Sequence, residues 1–347
     1  MKRLSRRQKL VLEILVLILL TGLTFWVLLR KQDLGRILDI ARNANPWWLL
    51  AAVGAALGHV FFNGLAIPVL FSSMGRKVTI LQCLRYSLIE FFFSSVTPAN
   101  SGGQPAQALA LVRDGHSASG TALGLLMLAM LYKLSLVLLF LLALVTDLRF
   151  MVSQIRLIPI IFTLGFLLTG GIVVLTNLLL FRPALVNGLL RLLLRLMRKL
   201  PFVRDPEGKY ETLREHVEEY HECAMFMKTH KRTVVRTFAV SLAQRVCILL
   251  VACFVFLALG APMTVLRRVW ELQLLIAVSV DMLPLPGGVG AAEAVSLQLY
   301  EGALGPVLMF PAMLLWRGVS YYLILAVSGA AVLAFRLLAR RGRKQEE

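Results

Sequence analysis

Six long apolar runs constrain the fold of this 347-residue chain more than any other feature. A transmembrane helix needs about 20 predominantly apolar residues to cross the hydrocarbon core of a bilayer, and each run meets that length. Apolar residues make up 58% of the chain and charged residues only 16%, which agrees with this class. The sequence therefore predicts an all-α polytopic membrane protein with about six full transmembrane helices, at 10–29, 47–72, 118–146, 157–181, 237–259 and 307–335.

The first run follows the basic segment MKRLSRRQK and so has one feature of a secretory signal peptide. Arg30 and Lys31 follow it, however, and it has no small-residue cleavage site. We therefore expect an anchor helix.

The chain carries a formal net charge of +18, which in a soluble protein would suggest a nucleic-acid partner. Here the basic residues cluster beside the spans, as in positive-inside topology and in contacts with anionic lipid headgroups. The N-terminus, the segment 181–236 and the C-terminal RLLARRGRK are all basic. We therefore expect a multi-pass protein of the cell membrane with both termini in the cytoplasm and no nucleic-acid partner.

Two further hydrophobic stretches, 79–112 and 269–301, are interrupted by glycine and proline. The charge pattern is satisfied if each returns to the side from which it came, as a re-entrant helical hairpin. A non-helical turn at membrane depth is tolerated only where protein or a water-filled cavity satisfies its backbone. A pair of short full spans preserves the same sidedness, so charge alone does not separate the two interpretations.

These stretches belong to a predicted inverted-topology repeat, in which span, hairpin and span occur twice from opposite faces. TPANSGGQPAQA in the first hairpin parallels LPLPGGVGAAEA in the second, and an aromatic–cation dipeptide follows each, Tyr132-Lys133 and Trp316-Arg317. Paired, broken hydrophobic segments of this kind indicate the substrate site of a transporter. The predicted divisions are an N-terminal anchor and loop, the first repeat, a linking region, the second repeat and a basic tail, at 1–46, 47–146, 147–236, 237–336 and 337–347.

A charge inside the bilayer costs at least ~2.5–3.5 kcal/mol, so each such residue requires a partner or a function. One interpretation is that Lys133 and Arg317 bind an anionic lipid headgroup, assisted by helix ends and polar side chains at the two turns. The predicted headgroup-binding residues are Lys133, Arg317, Gly102, Gly103, Gln104, Gln107, Gly287 and Gly288.

The other interpretation pairs Lys133 with Glu90, and Arg317 with Asp281 or Glu293, to neutralise buried charge. Both interpretations hold if an ion pair opens for a phosphate. The predicted gating or proton-coupling residues are Glu90, Asp281 and Glu293.

The segment 182–236 between the two halves differs in character. Arg191, Arg195 and Arg198 lie among leucines with the spacing of a basic amphipathic helix on the membrane surface. KYETLREHVEEYHECAMFMKTHKR then predicts a solvated polar helix, and this is favoured over a metal or regulatory site at its histidines. Binding of a soluble cytoplasmic partner to 182–236 is an open alternative.

Other chemistry has little support in the sequence. There is no GxxxxGK[ST] or dinucleotide motif, and the four cysteines lack a metal-ligand spacing, so we expect no cofactor, no metal and no ATP-driven transport by this chain itself. His59 is expected to be a hydrogen-bonded packing residue. An acid–base site could be drawn from Glu90, Asp281 and Glu293, but their spacing does not favour it.

Four segments carry a resemblance to a known family: FFFSSVTPANSGGQPAQALALVRDG, YKLSLVLL, DMLPLPGGVGAAEA and WRGVSYYLIL. Over roughly residues 10–335 the chain resembles the flippase-like membrane domain of lysylphosphatidylglycerol synthases, the multiple peptide resistance factor family, in its stand-alone form. The resemblance implies movement of aminoacylated phosphatidylglycerol or other lipids between leaflets, and a link to antimicrobial peptide resistance.

In full-length synthases a soluble domain follows the membrane part and transfers lysine from lysyl-tRNA to phosphatidylglycerol. This chain ends shortly after its last predicted span, so we expect it not to be an enzyme, although the family name suggests a lysyltransferase.

Three functions follow as hypotheses. The first is a lipid flippase or scramblase for an anionic or aminoacylated phospholipid or a polyprenyl-phosphate lipid, with membrane lipids as partners. The second is a component of a lipid-modifying enzyme, and the third is a membrane scaffold for a soluble partner. The sequence leaves open whether the protein forms a homo-oligomer.

Overall fold

The computed structural model describes residues 34–75, 77–181 and 225–345, together with single residues elsewhere. Every regular element in this described part is helical, so the predicted all-α fold is confirmed. The α-helices are α1 Leu34–Arg42, α2 Pro46–Phe71, α3 Ile80–Val96, α4 Gly103–Arg113, α5 Ala118–Thr146, α6 Leu148–Ile155, α7 Pro159–Phe181, α8 Lys231–Ala258, α9 Leu266–Val280, α10 Ala291–Arg317 and α11 Ile324–Gln345.

Four helical stretches are long and apolar enough to cross a membrane: Pro46–Phe71, Ala118–Thr146, Lys231–Ala258 and Val307–Phe335. They confirm four of the predicted spans, and the chain is a multi-pass membrane protein. Residues Leu148–Ile155 and Pro159–Leu175 form a fifth candidate when taken as one span bent by 110°. The predicted span 157–181 is thus one arm of a bent pair. The predicted span 10–29 lies almost wholly outside the described residues.

Helix boundaries follow the local sequence. The Asn45 side chain accepts a hydrogen bond of 3.0 Å from the Trp47 amide and caps α2, and Pro46 occupies a first-turn position that requires no amide hydrogen. Thr79 and Gln82 form a capping box at the start of α3, so each side chain satisfies a backbone N–H of the other. These caps place the beginnings of the first span and the first hairpin.

Helices α3 and α4 form a hairpin around the break 97–102. They run antiparallel, because Gln107 Nε2 in α4 donates to Glu90 Oε2 in α3 at 3.2 Å, and Asp114, just after α4, pairs with Arg85. The predicted stretch 79–112 is therefore an interrupted helical pair.

Helix α9 and the first part of α10 form the second hairpin, around the break 281–290. Gln273 in α9 donates to the Tyr300 hydroxyl in α10, which fixes the two arms against each other. Helix α10 kinks at Gly305, where φ is 75° and ψ is 173°. The hairpin arm ends at this kink, and the last candidate span follows it.

The breaks of the two hairpins meet. Pro98 and Pro286 form an antiparallel backbone bridge. Asn100 Nδ2 in the first break donates to the backbone oxygen of Asp281 in the second at 3.4 Å. A meeting of the two breaks within the protein is what the re-entrant interpretation requires.

The same order of elements occurs twice: a long helix, an interrupted hairpin and a long helix. The first set covers 46–146 and the second 231–335. This order is the one that the predicted repeat needs. The opposite sidedness of the two sets and the predicted domain boundaries stay predictions.

Candidate functional site

A cavity of about 560 Å³ lies where the two hairpin breaks meet. Its wall is formed by residues of both hairpins, of α2, α5, α7 and α8, and of the last span. The size and setting of the cavity are typical of small-molecule sites. Charged residues inside a helical membrane protein indicate function. The lining carboxylate, amine and guanidinium side chains are Glu90, Lys133, Arg245, Asp281 and Arg317.

Asp281 lies between two cations from different halves of the chain. Its Oδ2 is 3.6 Å from Lys133 Nζ in α5 and 3.5 Å from Arg245 Nη1 in α8. Both distances exceed the roughly 2.7–2.9 Å of a charge-assisted hydrogen bond, so the carboxylate is held loosely. The interpretation that pairs Lys133 with Glu90 is wrong in this structure. Asp281, the first residue after α9, is the carboxylate that lies near the Lys133 amine.

Arg245 is the site residue that the sequence prediction omits. Its side chain is only 3% exposed, and its Cζ lies 3.8 Å from the centre of the Tyr132 ring. Its Nε and Nη2 atoms are buried and have no hydrogen-bond partner in the described part of the chain. The signal that could have found it is the cation itself, in the middle of the predicted span 237–259.

Arg317 is bound into the second hairpin. Its Nε donates to Glu293 Oε1 at 2.8 Å, and its Nη2 donates to the Gly287 backbone oxygen at 3.2 Å. Glu293 Oε2 in turn accepts from the Gly290 amide at 2.7 Å, and the Arg317 and Glu293 side chains are 7% and 1% exposed. The predicted pairing of Arg317 with Glu293 is therefore confirmed.

A π-helical turn, Gly318–Leu323, begins directly after Arg317. Turns of this kind occur often at functional sites, because the extra residue redirects the side chains around it. Here the turn carries Tyr321, whose ring centre is 4.4 Å from the Arg317 Cζ and whose hydroxyl donates to the Ser95 backbone oxygen at 3.0 Å. The last span is thereby joined to the first hairpin.

Gly287 and Gly288 line the cavity in a left-handed backbone, with φ of 56° and 64°. Glycine takes this conformation without steric cost. A β-carbon at Gly287 would collide with the Tyr321 ring, and one at Gly288 would lie 2.6 Å from Val280 Cγ1. The Gly288 amide donates to the Leu285 backbone oxygen at 3.1 Å, so the turn uses this donor itself.

The glycines of the first break do not line the cavity. Gly102 has φ of −86°, and its amide donates to Thr97 Oγ1 at 2.8 Å. A β-carbon at Gly103 would lie 2.8 Å from the Glu90 backbone oxygen and would overlap the Ser94 hydroxyl. Both glycines allow close packing, and the lining gives their predicted contact with a headgroup no support.

The left-handed residues of the first break are Ala99, with φ of 52°, and Asn100, with φ of 56°. Such values are uncommon outside glycine and cluster at functional sites. Both residues line the cavity, beside the predicted residue Gln104.

Glu90 faces amides, not cations. It accepts the hydrogen bond from Gln107 Nε2, and Asn63 contributes a further side-chain hydrogen bond. Glu90, Gln107 and Asn63 all line the cavity. In the described structure no Lys or Arg lies within ion-pair distance of this carboxylate.

His59 has the packing role that the sequence predicts. Its Nδ1 lies 2.9 Å from the Gln244 backbone oxygen, and its ring packs against Phe91 with the centres 5.0 Å apart. This contact joins α2 to α8 beside Arg245.

Within the described ranges, no group of three or more His, Cys, Asp and Glu side chains could hold a metal ion. The charged and amide groups at the cavity form three arrangements: two cations around one carboxylate, a cation bound to a buried carboxylate, and a carboxylate among amides.

A family model described as "Lysylphosphatidylglycerol synthase TM region" matches residues 11–328 of this chain, a range that includes every residue lining the cavity. No curated protein and no solved structure matches the chain.

Proposed function

This chain belongs to the family of lysylphosphatidylglycerol synthase transmembrane regions, and from that premise we propose that it moves lipids with phosphate-bearing headgroups between membrane leaflets. One observation carries the proposal: a cavity inside a multi-pass helical protein combines Lys133, Arg245 and Arg317 where two interrupted hairpins meet.

The physical barrier to leaflet exchange is the headgroup. A charged phosphate must cross about 30 Å of hydrocarbon, where an unpaired ion has no water to solvate it. A cavity that offers amine and guanidinium groups replaces part of that lost solvation, and guanidinium geometry suits phosphate. The cations around this cavity supply that environment.

The acyl chains do not need to enter the cavity. Helices α5 and α7 expose large apolar side chains, among them Leu142 at 58% and Leu167 at 62%. In our proposal these faces contact the membrane interior while the headgroup passes along the hairpin tips.

The proposed substrates are an anionic or aminoacylated phospholipid and a polyprenyl-phosphate lipid. Movement is downhill or coupled to an ion, and Glu90, Asp281 and Glu293 are the carboxylates available to carry a proton. We place the protein in the cell membrane with both termini in the cytoplasm, since the basic segments flanking the spans favour that orientation.

We propose transport, not lysyl transfer, as the activity of this cavity, and a role in antimicrobial peptide resistance follows only if the lipid is aminoacylated. A soluble partner on 182–236 and a homo-oligomer stay proposals as well.

The test is leaflet exchange in liposomes that contain the purified protein. Headgroup-labelled phosphatidylglycerol is placed in both leaflets, and a membrane-impermeant quencher reports how fast the inner pool becomes accessible. We expect the protein to accelerate exchange and Lys133→Gln to slow it. Arg232→Gln is the matched control, because Arg232 is an exposed cation in α8 and does not line the cavity. If no phosphate-bearing lipid exchanges faster than in protein-free liposomes, the proposed function is wrong.

A further inference from the structure

The cavity contains one group of charges that does not balance. Lys133 and Arg245 both pair with the one carboxylate of Asp281, whereas Arg317 pairs with the carboxylate of Glu293. Building on the proposed function, we propose that Arg245 and Lys133 form the phosphate-binding site, and that Asp281 occupies the anion position while no ligand is bound.

The two ion-pair distances support this assignment. The Asp281 oxygen lies 3.6 Å from the amine and 3.5 Å from the guanidinium. A structural ion pair at a buried arginine is expected to close to a direct hydrogen bond, as Arg317 and Glu293 do at 2.8 Å. The space between Lys133, Arg245 and Asp281 is therefore wider than the carboxylate fills, and a phosphate has more oxygen atoms to fill it.

The unused donors of Arg245 support it independently. Its Nε and Nη2 are buried and have no hydrogen-bond partner among the residues that the structure describes, although buried polar groups are nearly always paired. A carboxylate that touches only Nη1 cannot use the fork of donors that a guanidinium presents. A phosphate, with several acceptor oxygens, can pair with these donors and with the Lys133 amine together.

The guanidinium is also held in a fixed orientation. It lies over the Tyr132 ring at 3.8 Å, and the backbone of the preceding residue, Gln244, is fixed by the 2.9 Å contact with His59. Side chains that are ordered before binding lose little entropy when a ligand arrives. Arg317 does not share this role, because Glu293 and the Gly287 backbone oxygen already use its donors.

The assignment places the ligand between the two halves of the chain. Lys133 belongs to α5 in the first set of elements, and Arg245 belongs to α8 in the second. The backbone oxygen of Asp281 accepts from Asn100 of the first break, so the stand-in carboxylate sits at the contact between the hairpins. A phosphate that displaces this carboxylate acts where the two hairpins meet.

The experiment measures binding in detergent micelles by isothermal titration with three probes: dihexanoyl phosphatidylglycerol, inorganic phosphate and dihexanoylglycerol, which has no phosphate. The full chain is used. We expect Arg245→Gln and Lys133→Gln each to weaken phosphatidylglycerol binding about tenfold or more, because each removes a charged hydrogen-bond partner. Arg245→Lys restores part of the loss. Arg232→Gln, which removes an exposed cation of the same helix, leaves binding unchanged.

Asp281→Asn distinguishes an anion stand-in from a purely structural carboxylate, because the two roles predict opposite changes in phosphatidylglycerol affinity. Removing the competing carboxylate is expected to tighten phosphatidylglycerol binding several-fold, whereas removing a structural ion pair would weaken it. Thermal unfolding of each variant identifies misfolded protein. Arg245→Lys and Asp281→Asn keep the proposal testable if Arg245→Gln does not fold.

The probes separate the sources of the anion. Inorganic phosphate binding that depends on Arg245 means that the site recognises phosphate itself, and dependence seen with the lipid alone assigns it to a headgroup. Equal affinity for dihexanoylglycerol, or weaker binding by Asp281→Asn, overturns the proposal. If binding follows these expectations but leaflet exchange is never accelerated, the site stands and lipid transport fails. If exchange is fast while binding ignores Arg245 and Asp281, transport stands and this site fails.

Discussion

Pro98 in the break of the first hairpin and Pro286 in the break of the second form an antiparallel backbone bridge. The bridge joins the first and second halves of the chain, and neighbouring residues of both breaks line the cavity. In the proposed transport, a headgroup passes this point only when the two breaks separate or tilt.

Because Pro98 and Pro286 are opposed in this bridge, we expect the double variant Pro98→Cys with Pro286→Cys to form a disulfide on mild oxidation. Opposed residues in an antiparallel bridge have Cα atoms about 4.5–5.5 Å apart, which lies within disulfide range. Peptide mass spectrometry detects the cross-link, and leaflet exchange should fall on oxidation and recover with reductant. The two single-cysteine variants are controls. Oxidised wild-type protein is a third control, because Cys83, Cys247 and Cys253 are free thiols that can also be oxidised. A double variant that never cross-links contradicts the contact.

Glu293→Gln should destabilise the protein by about 3–5 kcal/mol, because it leaves the guanidinium of Arg317 as a buried charge without its carboxylate. Thermal unfolding in detergent is the measurement. Glu293→Gln combined with Arg317→Met should recover much of the loss, since replacing both members of a buried pair removes the unpaired charge. Equal stability of wild type and Glu293→Gln would show that the pair is not an important contact.

Gly287→Ala should cost about 1–3 kcal/mol from its left-handed backbone alone, and more from the collision with the Tyr321 ring. Adding Tyr321→Ala to Gly287→Ala should remove the part of the stability loss that comes from the collision, but not the part that comes from the backbone. Thermal unfolding of the single and double variants therefore separates the two causes. Gly302→Ala is the control, because a β-carbon there meets no atom of the described residues within 4 Å and its φ is not positive. If Gly287→Ala and Gly302→Ala behave alike, the turn is not under this constraint.

Glu90→Gln tests proton coupling. Glu90 lies among amides, and no Lys or Arg of the described residues is within ion-pair distance of it, so a proton can neutralise it without breaking an ion pair. If it carries a proton during transport, a pH difference across the liposome changes the wild-type exchange rate, and Glu90→Gln makes the rate insensitive to that difference. Gln retains an oxygen that accepts from Gln107, so the hairpin contact is preserved. A gradient effect that persists in Glu90→Gln assigns the coupling to another carboxylate.

The sequence determined the elements of this protein and the places where they are interrupted. Hydropathy acts residue by residue along the chain, so the runs around 47–72, 118–146, 237–259 and 307–335 predicted helices that the structure confirms. Glycine and proline restrict the local backbone, so the two breaks were equally visible. Arg245 also lies inside a predicted span, but it belongs to neither of the repeated motifs on which the site prediction rests.

Only the tertiary structure decided which charges meet. Lys133 and Arg245 come from two helices, and Asp281 comes from the break that follows a third. The partner of each depends on how those elements pack, a property that no local pattern encodes. The same holds for the glycines: Gly287 and Gly288 have left-handed backbones, whereas Gly102 and Gly103 serve close packing of α3 and α4. Residues distant in sequence become neighbours only when apolar helices pack, so the arrangement of the site, unlike its elements, is a property of the whole fold.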